Sequence, residues 1–195
     1  MKIFLTTLCL TLCAATANAA FIYDINRTIG EGTPLEGTVT GFIETNGMLG
    51  TLTEGDILNW SITLTSDNLV DTDGNVGGFE TFNSSTGEII LRGDAVSADS
   101  TGLWYDFDLA PSPVGNYFLL QSNSGTGNFW CLETIFCSGG DDYSEQIGVN
   151  STGGIAAWEA RSGKVAFATV IPVPAAVWLF ASGLLGLIGV SRLKR

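Results

Sequence analysis

The sequence predicts an all-β fold: an antiparallel β-sandwich or jelly-roll-like body between an N-terminal signal peptide and a single C-terminal transmembrane helix. Three observations predict it. The stretch Leu58-Asn59-Trp60-Ser61-Ile62-Thr63-Leu64-Thr65 places its large apolar residues on one face and its polar residues on the other, and a period of two is that of a half-buried strand. Similar alternation recurs along the chain between clusters of Gly, Asn, Asp and Ser, which are turn formers. No helical pattern of comparable strength occurs before Ala175.

Taken in order, the chain opens with one positive charge at Lys2, an apolar stretch to Ala15 and the small-residue site Ala17-Asn18-Ala19. That is the pattern of a secretory signal peptide, with cleavage expected after Ala19. The stretch is shorter than the ~20 residues a membrane span needs. Cys9 and Cys13 lie inside it, and Leu12 before Cys13 is too large for a lipoprotein site. Strands are then expected at residues 21–25, 38–45, 58–65, 88–92, 103–109, 117–121, 129–133, 146–150 and 164–170. Between them fall turns such as Thr45-Asn46-Gly47, Asp73-Gly74-Asn75 and Ser138-Gly139-Gly140. Many short strands must bury their apolar faces against one another, so one two-layered domain over residues 20–169 is expected.

Residues 170–195 have a different character. Ala175 to Val190 is an uncharged apolar run followed by Arg192, Lys194 and Arg195. Its sixteen residues cover about 24 Å as a helix against a hydrocarbon core of roughly 30 Å, a short but workable span. The terminal cations belong on the cytoplasmic side, which places the body outside. Ser182, Gly183, Gly186 and Gly189 would let another helix approach this one closely. Pro172 and Pro174 just before the run hold the chain extended, a form a protease can grip.

The whole constellation, Pro172-Val173-Pro174-Ala175-Ala176-Val177-Trp178-Leu179-Phe180, a Gly-rich apolar helix and a basic end at Arg192-Leu193-Lys194-Arg195, closely resembles the PEP-CTERM sorting domain. Val173 replaces the family's Glu, as in its related Val-Pro-x-Pro-Ala variant. The resemblance covers about 25 C-terminal residues and implies export in a Gram-negative bacterium, recognition by an exosortase-type membrane protease and cleavage near Pro172, Val173, Pro174 and Ala175. It also implies delivery from the inner membrane to the cell surface or an exopolysaccharide, as in biofilms.

The body carries Arg27, Arg92, Arg161 and Lys164 against all twenty carboxylates, a net charge near −16. Nucleic acid is excluded as a partner, because phosphate binding needs a basic face. Cys131 and Cys137 are the cysteines left after signal cleavage. In an oxidising compartment they are expected to form a local disulfide worth roughly 2 kcal/mol. A chain with no histidine lacks the usual hydrolytic triads and zinc sites. Carboxylate or lysine mechanisms stay open, but nothing nominates an acid or a base, and no enzyme activity and no catalytic residue are expected.

Two weaker patterns complete the reading. In Leu103-Trp104-Tyr105-Asp106-Phe107-Asp108-Leu109, Trp104, Asp106 and Asp108 share the face opposite the aliphatic one, and an indole flanked by carboxylates can hold a sugar. Asp71-Thr72-Asp73-Gly74-Asn75 is like the start of a calcium loop, with Asp71, Asp73 and Asn75 as ligands, but Val76 and Phe82 stand where an EF-hand needs Gly and Glu. The leading expectation is thus a non-catalytic exported surface protein without a cofactor. A secreted carbohydrate-binding module and a polysaccharide-modifying enzyme are the alternatives.

Overall fold

The computed structural model describes residues 20–70, 75–110, 115–123, 127–134, 143–149 and 154–171. Among these residues the fold is all-β. The strands are β1 (Phe21–Ile29), β2 (Gly37–Thr45), β3 (Gly50–Thr51), β4 (Ile57–Val70), β5 (Val76–Asn83), β6 (Gly87–Arg92), β7 (Val96–Ala98), β8 (Gly102–Asp106), β9 (Tyr117–Ser122), β10 (Asn128–Glu133), β11 (Ser144–Val149), β12 (Gly154–Ala160) and β13 (Lys164–Val170), with one 3-10 turn at Glu54–Asp56. They form two antiparallel sheets. One has eight strands in the order β3-β7-β8-β13-β1-β2-β4-β5, and the other five in the order β12-β11-β10-β9-β6.

The alternation that predicts the strands is what joins the sheets. Tyr23 and Ile25 of β1, Val39 and Ile43 of β2, and Trp60, Ile62 and Leu64 of β4 are all buried, in one cluster with Phe118, Leu120, Trp130, Leu132 and Ile147 of the smaller sheet. An aromatic seam closes the layer. Phe118 and Trp130 stand 5.7 Å apart edge to face, and both meet Phe167 of β13, at 5.1 and 5.9 Å. Such pairs add to the area term, each contributing about 0.5–1.5 kcal/mol.

Departures from the sequence expectations have local causes. Leu58, expected inward, is 56% exposed, because the β2–β4 register shifts between Glu44 and Thr45 and turns it off the apolar face. The strand expected at 103–109 stops at Asp106, where Asp106 Oδ1 accepts the Asp108 N–H at 3.0 Å and Phe107 N–H leaves the ladder for Gly163 O at 2.9 Å. Four strands carry no clear alternation in sequence: β3 and β7 are too short, β5 contains Gly77 and Gly78, and β12 is rich in alanine.

Both edge strands of the smaller sheet are met by side chains or loops. On β6, Leu91 N–H is taken by Glu54 Oε1 at 3.0 Å, and Arg92 holds the same carboxylate at 2.8 Å. On β12, Trp158 N–H is taken by Leu35 O at 3.2 Å. Blocking an edge in this way removes a template for pairing with another chain.

Gly41, in the middle of β2, has φ 144°, and a Cβ there would lie 2.0 Å from Ser61 O. Gly41→Ala is therefore expected to lower stability by about 2 kcal/mol or more, through strain and overlap with β4. Equilibrium urea unfolding checks this, read as a fall in midpoint at unchanged slope.

Candidate functional site

Trp104, Asp106 and Asp108 lie where the sequence places them, on the face of β8 and its continuation opposite the fully buried Leu103, Tyr105 and Phe107. Their neighbours occupy them, however. The Lys164 ammonium sits 5.8 Å from the Trp104 ring centroid, so a cation already covers one ring face. Trp104 Nε1 is buried without a hydrogen bond of normal geometry, yet lies near enough to Asp99 to favour its ionised form. Asp106 Oδ1 accepts Asp108 N–H, and Asp108 Oδ1 accepts Gly163 N–H at 2.8 Å, tying β8 to the β12–β13 turn. Both carboxylates work as backbone acceptors.

The other expected sites divide by position. Cys131 is buried in β10 and disulfide-bonded; Cys137 lies outside the described residues. So do Asp71 and Asp73, while Asn75 stands just before β5. Among the described residues there is no group of three or more acidic or cysteine side chains placed to hold a metal ion. Ala17, Ala19, the motif at Pro172, Val173, Pro174 and Ala175, and the basic tail at Arg192, Lys194 and Arg195 all lie outside the described residues. No helix among the described residues is long and apolar enough to cross a membrane.

Two shallow depressions lie near opposite ends of β1. The first, about 580 Å³, is floored by Gly41 and bordered by Ile22, Asp24, Phe42 and Ile171 on the outer face of the larger sheet. Here the described chain begins and ends: Ile171 N–H donates to Ile22 O at 2.9 Å, continuing the β1–β13 ladder. The second, about 680 Å³, lies between the β1–β2 loop and edge strand β12, bordered by Gly30, Glu31, Pro34, Leu35, Trp158 and Glu159.

The chain matches no protein-family profile, no curated protein and no solved structure. The likeness of its C-terminal segment to a sorting domain therefore stands on that segment's residues alone.

The second depression was not legible in the sequence, because its residues come from a loop and from a strand without clear alternation. Its walls are fixed by hydrogen bonds. Thr33 N–H and Oγ1–H both donate to Gly30 O, at 3.0 and 2.7 Å, and Leu35 N–H donates to Thr33 Oγ1 at 3.1 Å. Gly30 has φ 67°, and a Cβ on it would meet Leu35 O at 2.2 Å, so only glycine makes this turn. Glu159 accepts Gly30 N–H at 3.2 Å and pairs with Arg161 at 2.7 Å. Glu31 is exposed and has no partner among the described residues.

Beneath this depression the two sheets meet at a buried charge cluster. Glu145 on β11 has no exposure, and its Oε2 lies 2.5 Å from Arg27 of β1 and 2.8 Å from Arg161. Trp130 Nε1–H donates to Oε1 at 3.2 Å. Burial works against the charged form of Arg27, but the carboxylates of Glu145 and Glu159 together outweigh it and raise the guanidinium's pKa. The cluster is structural in its geometry: every polar atom of Glu145 is engaged from within the fold.

Two outcomes follow from these groups. Glu145→Gln leaves Arg27 without a carboxylate and Arg161 with Glu159 alone, and is expected to cost about 3–5 kcal/mol in chemical denaturation. Asp99, held to about 2 by the Thr101 hydroxyl and N–H, with the Trp104 and Gly102 N–H groups adding to them, has a folded pKa below its ordinary value. Its contribution is present above the usual carboxylate range and is lost as pH falls toward about 2. The melting-temperature gap between the unaltered chain and Asp99→Asn should therefore hold from neutral pH to about pH 5 and close below it. A gap independent of pH would contradict this assignment.

Proposed function

We propose that this chain is an exported, non-catalytic surface protein. Residues 1–19 direct export, Ala175–Val190 tethers the chain in the inner membrane, and an exosortase-type protease releases the body near Pro172–Ala175 to the outer surface or its exopolysaccharide. The observation that carries this reading is the hydrogen bond from Ile171 N–H to Ile22 O. It puts the start of β1 and the end of β13 side by side at one end of the larger sheet.

That arrangement suits a chain attached to one membrane by both flanking segments. The signal peptide would leave the body one residue before Phe21, and the sorting motif begins one residue beyond Ile171. A body whose termini lay at opposite ends could not present both segments to the same bilayer without long linkers. Cleavage after Ala19 would leave β1 intact, and cleavage within Pro172–Ala175 would leave β13 intact. Both bonds thus fall just outside the ladder that holds the sheet together.

Mass spectrometry of the mature protein from its own host tests the reading. The expected product begins at Ala20 and ends near Pro174. A mature chain still ending at Arg195 in a strain with an active exosortase would remove the processing step and leave a membrane anchor. Retention of residues 1–19 would overturn signal cleavage.

A further inference from the structure

We propose that the depression between the β1–β2 loop and β12 binds a neutral oligosaccharide, with Trp158 as the packing surface and Glu31 as a hydroxyl acceptor. This goes beyond the sorting reading and does not depend on it.

Size and lining come first. About 680 Å³ lies within the range of roughly 300–1,000 Å³ typical of small-ligand sites and is far larger than an ion needs. The lining is mostly apolar, with Leu35 39% exposed and Trp158 half-buried. A half-buried indole on a strand offers a rigid flat surface to which the C–H groups of a sugar ring can pack. Pre-formation comes next. The hydrogen bonds from Thr33 and Leu35, the Gly30 turn and the Trp158 N–H to Leu35 O contact hold both walls without a ligand, so little ordering cost attends binding.

Charge then selects the ligand class. The four cations of the body are all engaged: Arg27 and Arg161 with Glu145, Arg92 with Glu54, and Lys164 over Trp104. No free cation is left among them to meet an anionic polymer, and the body's net charge near −16 repels one. A cationic ligand would want several uncompensated acceptors or a ring of aromatics. Glu159 is already neutralised by Arg161 and held by Gly30 N–H, which leaves one carboxylate without a partner among the described residues, and one indole. An exposed acceptor beside an apolar platform matches an uncharged ring bearing hydroxyls.

Position agrees with this. Gly30, the residue after β1, lies eight positions from Ile22, about 27 Å at strand rise, so the depression sits at the other end of β1 from the flanking segments. Trp104, whose ring carries Lys164, offers no equivalent platform.

The test uses the full chain in a zwitterionic detergent that carries no sugar headgroup. Calorimetric titration is run with maltohexaose, cellohexaose and N-acetylchitohexaose, and with polygalacturonate and choline as the charged comparisons. At least one neutral hexasaccharide is expected to bind with a dissociation constant of about 1 mM or tighter. Trp158→Ala should weaken binding about tenfold, Glu31→Gln about threefold, and Trp104→Ala should leave it unchanged. Glu31 is exposed on a loop, so its replacement reads out binding even where Trp158→Ala folds poorly. The proposal is overturned if no neutral probe binds at about 10 mM, if binding is indifferent to Glu31→Gln, or if choline or polygalacturonate binds more tightly than every neutral probe. A failure here leaves the mass of the processed chain untouched, and a failure of processing leaves this titration untouched.

Discussion

Glu145 carries a carboxylate with no solvent exposure on the inner face of β11, and much of the arrangement of the two sheets answers to it. An ionised group in that position costs several kcal/mol unless it is paired and hydrogen-bonded. Arg27 reaches it from β1 in the other sheet, Arg161 from the end of β12, and Trp130 from the neighbouring strand β10. Arg27 also donates to Ala166 O at 3.2 Å, beside the register shift between Ala166 and Ala168 of β13. One carboxylate thereby ties together β1, β10, β11, the end of β12 and the start of β13. Hydrophobic area alone would let the two faces slide past one another, since it has no direction; a charge cluster with these geometries has one arrangement.

Glu80 does the same at the far side of the layer with weaker means. From edge strand β5 it accepts Ser122 Oγ–H and Asn128 Nδ2–H, both at 2.6 Å, from β9 and β10. The sheets are thus pinned at two places by carboxylates, with the Phe118, Trp130 and Phe167 seam between them. This uses two of the acidic residues whose excess, in the sequence, says only that the surface repels polyanions. Composition gives the sum of charges and not which of them point inward.

The sequence carried the all-β class and most of the strands, because alternation is enforced wherever one face is buried: Trp60, Ile62 and Leu64 are inward as their spacing requires. It carried less where burial is two-sided or absent. β10 and β11 were expected at 129–133 and 146–150, but β11 begins earlier, at Ser144, because it is buried at every residue and its polar Ser144 and Glu145 carry no apolar alternation. β12 is an edge strand whose Ala156 and Ala157 fill the interior with small side chains, and its Trp158 therefore gave no sign of standing beside Glu31, more than a hundred positions earlier in the chain. Trp104 shows the converse. Its place on the outer face of β8 was legible, whereas the ammonium over its ring comes from β13, a partner that only the tertiary pairing of β8 with β13 supplies.

The central position of β1 and β13 in the larger sheet bears on how such a body tolerates attachment. A strand at a sheet edge can be peeled away one hydrogen-bonded pair at a time, but a central strand has neighbours on both sides. β1 is paired along its whole length to β2 and at its start to β13, which in turn pairs with β8. Force applied through either flanking segment therefore enters the middle of the sheet and loads ladders on both sides together. On the proposed tethering, the attachment points would lie side by side at the middle of the larger sheet, each backed by paired strands. The Gly30 turn and Trp158 would then stand at the end of β1 away from the proposed attachment.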